Sequence, residues 1–216
     1  METDHTRVEE RLLAEALRPG AAALDAGCGR TTRLRHYRDR IDRLVGVDID
    51  EEAGRENAFL DEFLRADLDA ALPFDDASFD LVYANFVVEH LRRPEWTFAE
   101  WRRVLRAGGR LVLLTTNRAS PFMAAADVLP DRARLLIKLR GAGVVARDVH
   151  PTHYRVNTPR SLERVATSAG FEPVAVEYVG TVHRYGERVP GASALLRAAE
   201  RVLPVERRST IVASYS

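Results

Sequence analysis

The chain is short of several things that would fix its class at once. It has one cysteine, Cys28, so it has no internal disulfide, and that usage fits a reducing compartment. It has no unbroken apolar run of about 18 residues, the length a membrane-spanning helix needs. It has no excess of either charge: 32 lysines and arginines balance 32 acids, leaving a formal net charge of +0, so composition gives no electrostatic reason for a nucleic-acid partner. The first stretch, METDHTRVEERLLAEALRPG, carries charges throughout and lacks the apolar centre of a secretory signal, which makes the cytoplasm the expected location. What remains is 216 residues, 46% hydrophobic and 30% charged, the profile of a soluble globular chain. That length is most simply one domain, residues 1–216.

Apolar runs and helical patterns alternate along it. Val8, Leu12, Leu13, Ala16 and Leu17 share a helical face, and Pro19-Gly20 stops that helix. Strands are expected at 21–24, 43–47, weakly at 63–66, at 79–84, at 110–115, at 171–179 and at the closing STIVASYS. Helices are expected at 31–40, from Asp50 onward, at 94–106 behind Pro94, after Thr158-Pro159, and at 191–203, with Ala107-Gly108-Gly109 as a turn. Short, unbroken apolar strands separated by helices indicate a parallel sheet covered on both faces, here doubly wound with a late antiparallel pair. Residues 118–157 interrupt the alternation and are expected to be an inserted lid that binds the acceptor side.

The most informative stretch is ALDAGCGRTT. A buried run ends in Asp25, and Ala26, Gly27 and Gly29 follow. In open α/β sheets ligands bind beyond the carboxyl ends of strands, and glycine lets the backbone approach them. A lone GxG also occurs in simple tight turns. The second strand, however, ends at Asp48 in GVDID, where an acid can accept hydrogen bonds from both hydroxyls of a ribose. Asp67 stands beyond the third strand, where a carboxylate can accept from an exocyclic amine. The plainer alternative is that Asp48 and Asp67 only cap helices and turns. A G-x-G-x-x-G dinucleotide fingerprint would need glycine at Thr32, which argues against a nicotinamide oxidoreductase.

These residues resemble the class I S-adenosylmethionine-dependent methyltransferases. DAGCG is similar to the family's first motif, GVDID to its ribose acid, RADLDAALPFDDASFDLVYANFVVEHL to its adenine-side and fourth-strand motifs, and LRAGGRLVLLTTN to its fifth-strand motif. The resemblance covers residues 20–117 closely. It implies a Rossmann-like, mostly parallel seven-stranded sheet with the last strand antiparallel, and S-adenosyl-L-methionine as cofactor. It places Asp25, Ala26, Gly27 and Gly29 at the methionine part, Asp48 at the ribose, Ile49 against the adenine, Asp67 and Leu68 at the adenine edge, and Asn85 along the floor. One departure is Thr31 where a third glycine is common; Thr31-Thr32 can cap the next helix instead.

The acceptor side is written less sharply. His90 in VVEHL is the candidate catalytic base, its ordinary pKa suiting proton removal near neutrality; the alternative is a packing or capping role. Glu89 is a candidate to orient it or bind substrate, with His153, Tyr154 and Arg155 near the pocket mouth. Metal-dependent relatives carry an acid three residues before the glutamate, a position that is Phe86 here, so no metal is expected. His150 and His153 are either reaching residues or ordinary surface histidines. Leu135, Leu136 and Leu139 with Arg132, Lys138 and Arg140 make a basic amphipathic stretch, suited to a lid or to weak contact with a membrane surface. The expected partner is a small-molecule methyl acceptor at an oxygen or nitrogen, with no nucleic acid. An RNA or protein methyltransferase and a non-catalytic cofactor-binding module are the rivals.

Overall fold

The computed structural model describes residues 4–125, 150–187 and 191–216. The amphipathic stretch of residues 132–140 lies outside the described residues. Helix α1 (Asp4–Ala16) leads into strand β1 (Ala21–Ala26), and a short 3₁₀ turn (Arg33–Tyr37) into β2 (Ile41–Asp48). Helix α2 (Glu51–Glu56), β3 (Glu62–Arg65) and β4 (Phe79–Asn85) follow. A 3₁₀ turn (Val88–His90), α3 (Pro94–Val104), β5 (Leu105–Thr116) and α4 (Pro121–Ala125) come next. Then come α5 (Pro159–Ser168), β6 (Pro173–Val179), α6 (Ala192–Arg201) and β7 (Thr210–Tyr215).

The seven strands form one sheet in the order β3-β2-β1-β4-β5-β7-β6. β1 is parallel to both β2 and β4, while β7 is antiparallel to β5 and β6. The chain winds outward from β1 to β3, then returns to β4 on the other side of β1. Between β1 and β4 the winding reverses, and a crevice opens there at the carboxyl ends.

Period-two alternation splits the core. Ala22, Leu24, Val45, Val47, Val82, Leu111 and Leu113 face one layer with Phe98 and Trp101 of α3 and Leu162 and Val165 of α5. Ala21, Ala23, Leu44, Leu81, Tyr83, Val112 and Leu114 face the other with Leu12 and Leu13 of α1. Burial on both faces explains why these strands read as continuous apolar runs. α5 opens with a reciprocal cap between Thr158 and Ser161, and Pro159 fits its first turn.

Two local readings are corrected. Residues 31–40 form no α-helix: only Arg33–Tyr37 coil, as a 3₁₀ turn that Thr32 caps by accepting from Leu34 N–H. Ala107-Gly108-Gly109 is no loop either. β5 starts at Leu105 and carries these residues as an irregularity, its pairing stepping from Phe79↔Leu105 to Leu81↔Arg110. None of the three has a partner on β4, and Gly108 holds φ +76°, a conformation glycine adopts freely.

Candidate active site

Four strand ends and the turns after them enclose a cavity of about 650 Å³. Gly27 and Gly29 line it from β1, Asp48 and Ile49 from β2, Asp67 and Leu68 from β3, and Asn85 and His90 from β4. His153 reaches it from the segment beyond residue 149. Five other residues singled out by sequence do not line it. Asp25 and Ala26 are buried beneath the turn, and the Glu89 side chain is buried behind the β4 tip. Tyr154 lies under the Arg118 guanidinium, 4.5 Å from its ring centre, and Arg155 is exposed.

The glycine turn is shaped by sterics and held by hydrogen bonds. Gly27 has φ +79°, and a Cβ there would sit 2.4 Å from Val87 Cγ2, so only glycine fits. Its N–H and that of Cys28 both donate to Val47 O, at 2.8 and 3.1 Å. Gly29, at φ +50°, has no atom within 4 Å of where a Cβ would point, leaving its backbone open to the cavity. Buried Asn57, just past α2, donates from Nδ2 to Cys28 O at 3.2 Å and Gly29 O at 3.3 Å. Sequence reasoning missed Asn57; its one signal was an amide directly after a helix.

Asp48 accepts from Gly29 N–H and Asp50 N–H, each at 2.9 Å. These bonds do cap a turn, and they also fix the carboxylate at the cavity edge with one lone pair left on each oxygen. Ile49 beside it is 54% exposed, an apolar surface offered to the cavity. Across from it, Asp67 accepts from Asp69 N–H at 2.9 Å and from Arg92 Nη2 at 2.6 Å. Asp69, Arg92 and Arg30 also line the cavity and went unnoticed in the sequence.

Beneath the turn lies a buried acidic pair of environments. Desolvation pushes the Asp25 carboxyl up to about 7, with the Asp48 and Glu9 charges adding to it and a hydrogen bond with Thr32 opposing. Desolvation likewise raises Glu9, against the Tyr83 hydroxyl that donates to it and the nearby Arg33. Burial pushes the Cys28 thiol well up, so it stays protonated and unreactive.

On the other flank, His90 Nδ1 lies 2.6 Å from Pro151 O. A carbonyl only accepts, so Nδ1 carries a proton. Glu89 O accepts from His153 N–H at 2.8 Å and Tyr154 N–H at 3.1 Å, strapping the 150–154 segment to the β4 tip. Phe86 and Tyr154, both non-glycine, hold φ of +55° and +51° beside this strap. Backbone strain of this kind, about 1–3 kcal/mol each, clusters at ligand sites. Among the described residues no group of three or more histidine, cysteine or acidic side chains is placed to hold a metal ion.

Does a nucleoside cofactor fit here? The site offers an acceptor-only carboxylate at each of two strand tips, an exposed apolar side chain between them, and bare main chain at Gly29. Asn85 adds a buried Oδ1 in the floor that has no hydrogen-bond partner. An adenosine with a cationic, amine-bearing tail meets each of these needs. Fold and site together define a nucleoside-cofactor-binding α/β protein of the seven-stranded, β7-antiparallel type.

Comparison with known proteins narrows that class. A family profile described as "Methyltransferase domain" matches residues 24–113. The chain is 32% identical over 223 residues to the malonyl-[acyl-carrier protein] O-methyltransferase of Erwinia billingiae, covering 95% of this chain and 86% of that protein. It is 31% identical over 200 residues to the 27-O-demethylrifamycin SV methyltransferase of Amycolatopsis mediterranei, covering 85% and 66%. It spans about half the length of other curated relatives it matches, 44% for the malonyl O-methyltransferase of Erwinia pyrifoliae. A crystallised S-adenosylmethionine-dependent methyltransferase from Mesorhizobium loti shares the fold at TM-score 0.67 and 21% identity, covering 98% and 96% of the two chains. The chain belongs to the class I S-adenosylmethionine-dependent methyltransferases, whose methyl donor is S-adenosylmethionine.

Proposed function

We propose that this protein transfers the methyl group of S-adenosylmethionine to an oxygen or nitrogen of a small-molecule acceptor. The observation that carries the reading is a single cavity with the glycine turn, Asp48 and Asp67 on one side and His90 on the other. When bound, the donor supplies an electrophilic methyl on a sulfonium. Gly27 and Gly29 leave room for its methionine part, Asp48 accepts from the ribose hydroxyls, and Ile49, Asp67 and Leu68 enclose the adenine. Asp25 acts from below by shaping the turn. His90, its Nδ1–H held by Pro151 O, takes the acceptor's proton at Nε2. Glu89 fixes the strap that carries His153 to the cavity, and Tyr154 and Arg155 are the proposed outer rim on the acceptor side. The Erwinia billingiae relative is named an O-methyltransferase and the Amycolatopsis one a methyltransferase of 27-O-demethylrifamycin SV, which favours oxygen. Among the described residues no helix is long and apolar enough to cross a membrane.

Incubating the protein with a metabolite extract and methyl-labelled donor should yield a labelled small product by mass spectrometry. His90→Gln should lower its turnover about 10²- to 10⁴-fold for a hydroxyl acceptor and remove the acidic limb of the pH–rate profile. The donor affinity should stay within about threefold, since a group that only moves the proton leaves ground-state binding alone. Unchanged turnover would remove His90 as the base. Label found only in RNA or protein would overturn the small-molecule reading.

A further inference from the structure

We propose that Arg92 is the positioning residue for the adenine-side carboxylate and makes the pocket select a 6-amino over a 6-oxo purine. The inference rests on the cofactor reading above and assigns a role to a side chain that reading leaves unused.

Asp67 stands two residues past the end of β3, so no strand ladder aims its side chain. Two hydrogen bonds do so instead. Asp69 N–H fixes Oδ1 at 2.9 Å, and Arg92 Nη2 fixes Oδ2 at 2.6 Å. Arg92 is itself held at a second point, its Nε donating to Asp69 Oδ2 at 3.0 Å. Asp69 is the buried hub, 7% exposed. It accepts from the backbone N–H of Arg92 at 3.0 Å and of Arg93 at 2.8 Å. One edge of a planar guanidinium therefore spans two carboxylates and sets their mutual orientation. It also ties the β3–β4 connection to the segment entering α3 at this cavity wall.

The arrangement has a chemical direction. With both oxygens of Asp67 receiving one bond from the protein, the remaining lone pairs can only accept. An exocyclic amine satisfies them, whereas a ring carbonyl would set acceptor against acceptor. The Arg92 and Asp67 side chains are 56% and 38% exposed, so their ion pair adds little to stability. Its consequence lies in aiming the carboxylate, and selectivity is where that shows.

The test is titration calorimetry with S-adenosylhomocysteine and S-inosylhomocysteine. The wild type should favour the adenosyl ligand by about tenfold or more, the factor associated with one charge-assisted hydrogen bond. Arg92→Ala should bring that ratio to within about threefold of one, chiefly by weakening the adenosyl ligand. Arg92→Lys, which keeps the charge but cannot span both acids, should fall between. Asp67→Asn, with an amide that can donate to a carbonyl, should shift preference toward the inosyl ligand. A wild-type ratio retained in Arg92→Ala overturns the proposal, as does equal weakening of both ligands, the mark of a merely structural role. If the wild type binds neither ligand, the cofactor reading fails and this inference with it; if it binds both alike, only the selectivity claim fails. Should Arg92→Ala not fold, Arg92→Lys alone decides by the same ratio.

Discussion

Replacing Gly27 by alanine tests the steric argument for the cofactor turn most sharply. The backbone there has φ +79°, a left-handed conformation that costs an L-residue about 1–2 kcal/mol. The added Cβ would meet Val87 Cγ2 at 2.4 Å and Cγ1 at 3.3 Å. Valine is branched at Cβ and has little rotamer freedom with which to retreat, so overpacking adds about 1–3 kcal/mol. Gly27→Ala should therefore destabilise the protein by about 2–5 kcal/mol. In a chain of this size that lowers the melting temperature by roughly 4–20 °C. Urea unfolding of Gly27→Ala, Val87→Ala and the double variant separates the two contributions. Removing both Val87 methyls should recover about 1–3 kcal/mol of the alanine penalty, while the conformational part remains. A single variant within about 0.5 kcal/mol of wild type would refute the argument. So would strictly additive effects, because they would show that Gly27 and Val87 do not compete for the same space.

Other consequences follow from the buried groups around the turn. The folded protein keeps the Asp25 proton up to about pH 7, whereas the ordinary carboxyl releases it near 3.8. Stability should therefore fall as pH rises from about 4 to about 7 and level off above, by at most about 4 kcal/mol. Asp25→Asn should flatten that slope and be the more stable protein at pH 8 in urea titrations at pH 5 and pH 8; identical slopes would remove desolvated Asp25 as the cause. Asn57→Ala should cost about 1–3 kcal/mol, since two carbonyls lose their donor, and should weaken S-adenosylhomocysteine binding several-fold by releasing the turn. Unaltered affinity in calorimetry would show that the turn holds its shape without Asn57.

The sheet and the strand-end residues that line the cavity were legible because their signals are local. β1, β4 and β5 are buried on both faces, so apolar composition alone marks them, and Asp25 and Asp48 announce strand ends. The 3₁₀ turn after Thr32 was misread as a helix because RLRHY has helix-forming residues, yet just one of them, Leu34, is buried. Ala107-Gly108-Gly109 reads as a turn from glycine content, while the pairing with β4 at Leu105 and again from Arg110 places this irregular stretch inside the span of β5. Long-range polar contacts were invisible. Nothing in the sequence says that Asn57 reaches back to Cys28 and Gly29, that Arg92 bridges Asp67 and Asp69, or that Glu89 turns its carboxylate inward to Thr115. Each depends on where distant segments meet. The flank around His90 was least legible, because the β4 tip and the segment beyond residue 149 are brought together only by the fold.

A crystal structure with S-adenosylhomocysteine tests the central claim most directly. The ribose hydroxyls should lie within about 2.7–3.2 Å of the Asp48 carboxylate, with the adenine between Ile49 and Leu68 and its amine on Asp67. Density for the nucleoside anywhere but this strand-tip cavity, or a ribose turned away from Asp48, would contradict the account.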